Sequence, residues 1–434
     1  MSRITAEFEH GVKNYFFDPM KPALTDDMGN DVPMPKDLVE FESRRMDMIR
    51  NRVRLRINLG TECNFSCAYC IQHSNTNIPK FRAIPAHKIS RLVSGIVHYA
   101  RMAGAADGRV PDVDFIGGEP LLHWEEMKEI ISLLRSFFPD AKFAMITNGS
   151  LFTADKAKFC LQNNVLAQLS HDGPGQGLRT LDPLAPRSET LAAFQLMARE
   201  GSAPMVVNPV LTRHNHDLSE IYEYLCNRLH TEVMISEGFP VEICDEQTAA
   251  LGFSSLEEYA PMVRETCACL VKHHPAMFQS YFEMLTKLAY RLANRIPPEP
   301  HGRCSAFGNF VYALNPNGDV LRCHEEPPDY MFIRNTPGGT TPNSCLNLED
   351  IMRENMTMES ISQKLAAHNF MADWRHRESC RGCPAVSFCL GGCAKRGEEF
   401  YRTACPRWGA LISVVLSTLI HCMEPNALSV RVEL

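Results

Sequence analysis

The chain is predicted to be an α/β protein built on a parallel sheet, on two observations. Between residues 52 and 235, short apolar runs alternate with longer stretches whose apolar residues recur every three to four positions. Six strand-like runs separated by helical stretches require crossover connections, which join parallel strands with a right-handed sense. The strands are expected over 53–59, 113–116, 143–147, 166–170, 205–211 and 232–235. The helices between them are expected over 86–103, 124–138, 154–162, 189–200 and 217–229. Two further helices, 256–272 and 276–295, end at Pro297-Pro298-Glu299-Pro300, a credible boundary. Beyond it, strands 309–314 and 319–322 flank Asn315-Pro316-Asn317-Gly318, where Pro presets φ and Gly supplies a positive one. The first 50 residues are mixed in pattern, with no clear unit of their own.

Bulk properties narrow the function. Apolar content of 45% and charged content of 22% over 434 residues describe an ordinary enzyme with a large core. A net charge of −7 offers nucleic acid no electrostatic footprint. The first residues, Met1-Ser2-Arg3-Ile4-Thr5-Ala6-Glu7, lack the apolar core of a signal peptide. The longest apolar run, 408–423, is interrupted by Ser413, Ser417, Thr418 and His421; it reads as too short for a membrane span and as a core helix instead. A cytoplasmic location is therefore expected, with no membrane partner. There the seventeen cysteines stay reduced, and clusters of them point to metal.

Cys63, Cys67 and Cys70, spaced C-x3-C-x2-C, follow the first strand and sit at its carboxyl end, where α/β folds place their chemistry. A 4Fe–4S cube is ordinarily held by four cysteines, so three on one loop leave one iron open to a ligand. A zinc knuckle is the competing reading. The triplet resembles the signature of the radical S-adenosylmethionine (SAM) superfamily. That resemblance implies an incomplete (β/α)6 TIM-type barrel and an open iron chelated by SAM. It also implies reductive cleavage of SAM to a 5′-deoxyadenosyl radical that abstracts hydrogen from a substrate.

Further segments fit the same superfamily. Gly117-Gly118-Glu119-Pro120, after the second strand, resembles its GGEP motif, whose backbone contacts the SAM amino group. Glycines allow close approach there, and the Glu119 carboxylate is available to an ammonium. Thr147-Asn148-Gly149 and Ser170-His171-Asp172-Gly173 end the third and fourth strands and resemble segments lining ribose and adenine, with Asn148 and Ser170 as contacts. Tyr69 lies where relatives place a residue against adenine. Arg179 lies where they have a carboxylate-binding basic residue. His171 and Asp172 have a strand-end position from which they can face substrate, although turn chemistry explains Asp172.

A second system comprises Cys304, Cys323, Cys380, Cys383, Cys389, Cys393 and Cys405, with Gly318 between the first two. This pattern resembles the SPASM domain, which carries two auxiliary Fe–S clusters. By that resemblance Cys380, Cys383, Cys389 and Cys405 hold the outer cluster, and Cys304, Cys323 and Cys393 the inner one. The fourth inner ligand stays unassigned, with Cys267, Cys269 and Cys345 as candidates. One zinc on Cys380, Cys383, Cys389 and Cys393 is the competing reading. The expected layout is an extension over 1–50, the partial barrel over 51–240, a helical bridge over 241–300, the Fe–S-binding SPASM domain over 301–410, and a helix and tail over 411–434.

The resemblance implies a maturase with three 4Fe–4S clusters that modifies a peptide or protein oxidatively. The product would be a cross-link, thioether, epimerised or oxidised residue. The electron donor would be a flavodoxin or ferredoxin. The 50 residues before the core are too few for a leader-binding winged helix, leaving that task to a separate leader-peptide-binding protein or to the barrel. His324, after Cys323, replaces the aspartate that serves as base in sulfatase-maturing relatives; it argues against formylglycine formation and is the candidate base here. The alternatives are a dehydrogenase of a small molecule and a non-catalytic zinc or Fe–S protein.

Overall fold

The computed structural model describes residues 1–70, 84–240, 246–298, 311–321, 346–361, 375, 377–390 and 398–434. Six parallel strands run in sequence order: β4 (Arg52–Asn58), β5 (Val110–Ile116), β6 (Lys142–Thr147), β7 (Val165–Leu169), β8 (Met205–Val207) and β9 (Val233–Ile235). Helices Ala86–Met102, Trp124–Phe137, Ala154–Gln162, Glu189–Glu200 and Leu218–Leu229 connect them. The helix starts are legible chemistry. Thr153, Ser188 and Asp217 each cap by accepting from backbone N–H groups of the first turn.

The sheet does not end at six strands. A hairpin of β10 (Val311–Leu314) and β11 (Asp319–Leu321) adds to the other side of β4, with β10 parallel to it, and β12 (Leu346–Asn347) completes a nine-stranded sheet. Its turn is the expected one. Gly318 has φ +82°, and Asn315 Oδ1 accepts from the N–H groups of Asn317 and Asp319. The order runs from β12 to β9 without closure, so the α/β sheet is a partial barrel among the described residues.

Alternation along β4 divides its two faces. Val53, Leu55 and Ile57 are buried in the main core with Ile89, Leu92, Val93 and Ile96 of the following helix. Arg52, Arg54 and Arg56 point the other way. They pair with Asp112 and Asp114 of β5: Arg52 with Asp112 at 2.9 Å, Arg54 and Arg56 with Asp114 at 3.7 and 3.6 Å.

The amino terminus corrects the expectation that it has no unit of its own. β1 (Ser2–Phe8), β2 (Gly11–Asp18) and β3 (Ala23–Asp26) form an antiparallel sheet, completed by β13 (Ser429–Glu433) pairing with β1. Tyr15 and Lys13 both reach Glu424, at 2.7 and 2.6 Å. Pattern alone misses a sheet whose outer strand arrives from the far end of the chain.

The last helix, Glu398–Met423, is longer than the 408–423 run suggested. Its stretch Ala404–Met423 is long and apolar enough to cross a membrane, which corrects the reading that it is too short. Ile412, Val414, Val415, Leu416, Leu419 and Ile420 are nevertheless buried in the main core, as a core helix requires.

Candidate active site

The cysteine loop leaves the carboxyl end of β4 and is bound to the strand beside it. Leu59 N–H donates to Ile116 O (3.0 Å), Gly118 N–H to Gly60 O (2.9 Å) and Glu119 N–H to Glu62 O (2.8 Å). The glycines are required by this contact. A Cβ on Gly118 would lie 2.1 Å from Glu62 O, and one on Gly117 2.3 Å from Gly60 O. The close approach expected toward a cofactor is made first to the cysteine loop itself.

Glu119 is 1% exposed and braces the neighbouring strand end. Its carboxylate accepts from Thr147 Oγ1 (2.6 Å), Asn148 N–H (2.7 Å) and Leu121 N–H (3.0 Å). Burial pushes its carboxyl above the ordinary range, and these three bonds oppose the rise. Both oxygens are committed within the protein, whereas the sequence reading left them for an ammonium. Asn148 is drawn to the loop as well. Its Nδ2 donates to Asn64 Oδ1 (2.9 Å) and reaches Cys63 Sγ (3.9 Å), so its amide faces the cysteine loop.

The strongest tie comes from β7. The Tyr69 hydroxyl donates to Asp172 Oδ2, and Arg179 Nη2 lies 2.9 Å from Asp172 Oδ1. The Arg179 guanidinium stands 5.4 Å from the Tyr69 ring centroid and donates to Asn208 O (3.1 Å). All three side chains are buried. Burial, the Asp172 charge and their hydrogen bond together hold the Tyr69 hydroxyl firmly protonated, against the pull of Arg179. Tyr69 and Arg179 were picked from sequence as ligand contacts, and Asp172 was passed over as a turn residue. The structure makes Asp172 the centre of the group. The missed signal was an Asp three residues past the end of a buried strand, with no solvent to hold its charge. Ser170, half-buried at the same strand end, donates its N–H to Thr147 O (2.8 Å). His171 is fully buried. Its Nδ1 accepts from Gly173 N–H (2.9 Å), so Nε2 carries the proton given to Asp182 (2.9 Å), and the ring does not face a substrate.

The three loop thiols suit a multi-iron cluster. Burial, and behind it the charges of the other two cysteines, push the Cys67 thiol up to about 11, with Arg179 opposing; Cys63 is raised chiefly by burial. The three thiols therefore sit within electrostatic reach of one another. Among the described residues no three His, Cys, Asp or Glu converge to hold a single ion. A zinc knuckle needs that convergence, whereas a cubane takes one thiolate at each of several irons.

Of the second system, Cys380, Cys383, Cys389 and Cys405 are described; Cys304, Cys323, His324, Cys345 and Cys393 lie outside the described residues. Cys383 N–H donates to Cys380 O (3.2 Å) and Cys389 N–H to Ala385 O (2.9 Å). The Cys405 thiol is raised first by burial and then by the charges of Cys383 and Cys380. Cys267 and Cys269, candidates for the missing inner ligand, lie on the helix Leu256–Lys272, their thiols pushed up to about 11 and 12 by burial. Both behave as small core residues.

Comparison with known proteins agrees with this geometry. Residues 57–225 match the Radical SAM superfamily model. A radical SAM cyclopropyl synthase, TigE, of Paramaledivibacter caminithermalis is 22% identical over 45% of this chain and 44% of its own length. A cysteine-type anaerobic sulfatase-maturating enzyme of Clostridium perfringens is 28% identical over 37% of this chain and 45% of its own. A GTP 3',8-cyclase of Marinobacter nauticus is 23% identical over 62% of this chain and 78% of its own. The chain thus spans less than half the length of the first two relatives. The solved structure of native anSMEcpe with bound AdoMet and Cp18Cys peptide superposes with a TM-score of 0.63 at 17% identity, covering 86% of this chain and 99% of that one, which establishes the shared fold. The cysteine loop, the strand ends that hold it and the matched sequence agree: residues 57–225 carry the radical SAM domain.

Proposed function

We propose that this enzyme is a SPASM-type maturase that modifies a peptide or protein oxidatively, using three 4Fe–4S clusters. The observation that carries the reading is two separate sets of cysteines, one on the loop after β4 and one spread over residues 380–405. When bound, the first cluster and SAM supply one-electron cleavage and the radical that takes hydrogen from substrate.

The residues have distinct tasks. Cys63, Cys67 and Cys70 hold the first cluster. Glu119, Asn148 and Asp172 keep the loop in place from three strand ends, and the buried Tyr69–Arg179 pair closes its far side to water. The backbone of Gly117 and Gly118, with Ser170, borders the SAM pocket. His324 serves as the base beside Cys323, and a flavodoxin or ferredoxin supplies electrons. Cys304, Cys323 and Cys393 hold the inner auxiliary cluster. The peptide assignment is supported by the sulfatase-maturating relative and by the peptide bound in anSMEcpe. Enzyme status removes the non-catalytic zinc reading.

A second reading, a radical enzyme of a small molecule, is favoured by the GTP 3',8-cyclase match, which spans more of this chain than the other two relatives. One experiment separates them. The anaerobically reconstituted enzyme should carry about ten to twelve irons. Reduced with dithionite and given SAM, it should form 5′-deoxyadenosine. Mass shifts on peptides encoded beside its gene support the maturase; turnover of GTP or another small molecule without a peptide supports the second reading. The Cys63, Cys67, Cys70→Ala variant should lose one cluster and form no 5′-deoxyadenosine. If that variant still cleaves SAM, the active-site assignment is wrong.

A further inference from the structure

Asn148 belongs to a closed ring of side chains. Its Nδ2 donates to Asn64 Oδ1 (2.9 Å), Asn64 Nδ2 donates to Ser150 Oγ (2.8 Å), and Ser150 Oγ donates back to Asn148 Oδ1 (2.7 Å). Such a cycle polarises each member in turn. It also fixes which way the amide points. Asn148 Oδ1 additionally accepts from Ser150 N–H (2.9 Å), and a backbone N–H admits only the oxygen there. The two hydrogens on Nδ2 therefore face the cysteine loop. One goes to Asn64, and the other is aimed at Cys63 Sγ, 3.9 Å away.

Cys63 differs from its neighbour in this respect. Two N–H groups approach its sulfur, from Asn148 and from Phe65 (3.4 Å), whereas Cys67 Sγ faces the carbonyl of Arg179 (3.7 Å). The Asn148 backbone is held in turn by the buried Glu119 carboxylate, so the donor is anchored from both sides.

We propose that Asn148 sets the reduction potential of the first cluster by donating a hydrogen bond to the Cys63 thiolate. It acts as a positioning residue rather than as a contact to the SAM ribose or adenine. A donor to a ligand sulfur stabilises the more negative, reduced cluster, so it raises the potential. The inference rests on Cys63, Cys67 and Cys70 holding a cluster and is independent of the substrate.

The test compares the reconstituted enzyme with Asn148→Asp and Asn148→Ala by potentiometric titration read by electron paramagnetic resonance, with iron content and SAM affinity measured on the same samples. Asn148→Asp keeps the shape and the acceptor for Ser150 but removes the donor to both Cys63 and Asn64. Both variants should shift the midpoint to a more negative potential, Asn148→Asp further because it adds a charge. An unmoved potential in loaded Asn148→Asp overturns the proposal, as does loss of SAM affinity without a shift. If Asn148→Ala fails to load, Asn148→Asp alone decides. A wild-type enzyme that takes up no iron overturns the cluster assignment as well, which separates the two failures.

Discussion

The two cysteine systems are held in opposite ways. Around Cys63, Cys67 and Cys70 the supports come from far along the chain: the backbone of Gly118 and Glu119, the Asn148 amide, and Asp172 and Arg179 grasping Tyr69. Around Cys380, Cys383 and Cys389 they are local, since the turns close within three or four residues, and Arg291 to Ser387 O (2.8 Å) is a tie to the helices beneath. A loop held by several strand ends keeps its shape before metal arrives. Turns whose backbone bonds are short-range borrow more of their order from the metal.

The severest way to break the first arrangement is Gly118→Ala. Its Cβ would overlap backbone atoms of Glu62 and Thr61, which have nowhere flexible to go. We expect loss of the first cluster and of 5′-deoxyadenosine formation, checked by iron assay and chromatography. Cys380→Ser with Cys383→Ser attacks the other system. It should remove about four irons while reductive SAM cleavage persists; loss of cleavage would mean the two systems are not separable.

Iron removal sharpens the contrast itself. In chelator-stripped protein, backbone amides over 377–390 should exchange with solvent at least ~10-fold faster than in the loaded enzyme, and those over 59–69 should change less. Equal acceleration of both would erase the distinction. Asp172→Ala tests the distant support directly, because it strands the Arg179 charge in the interior. A cost of about 3–5 kcal/mol is expected, read as a lowered denaturation midpoint together with poorer loading of the first cluster.

The last effect lies outside both systems. Glu237, past the end of β9, is buried, and burial raises its carboxyl to about 8, helped by the charge of Glu283 and opposed by Ser280. The folded state therefore holds a proton that the unfolded chain has released. That stabilisation is complete below about pH 4.5 and is lost as pH rises through about 8. Stability should fall by on the order of 4 kcal/mol from pH 5 to 8.5, and Glu237→Gln should flatten the slope in urea titrations. An unchanged slope would assign the effect elsewhere.

Much of the first system was legible because its signals are local. The spacing of Cys63, Cys67 and Cys70, the glycines of the GGEP segment and the strand-end position of Thr147-Asn148-Gly149 are all visible in short windows. What such windows misjudged was what each side chain faces. Glu119 and Arg179 read as ligand contacts and are engaged with the protein's own groups, while Asp172 read as turn chemistry and is the buried acceptor for both Tyr69 and Arg179. Nothing near Asp172 in the chain reveals a tyrosine 103 residues earlier.

By itself the sequence determined the order of six strands and their helices and the two groups of thiols, because periodicity and motif spacing act between residues a few positions apart. Only the tertiary structure decided that the first strand pairs with the last, that a hairpin extends the sheet beside β4, and which polar side chains are buried together. The physical reason is that burial prices each polar group by its surroundings, and those surroundings are assembled from parts of the chain that no local pattern connects.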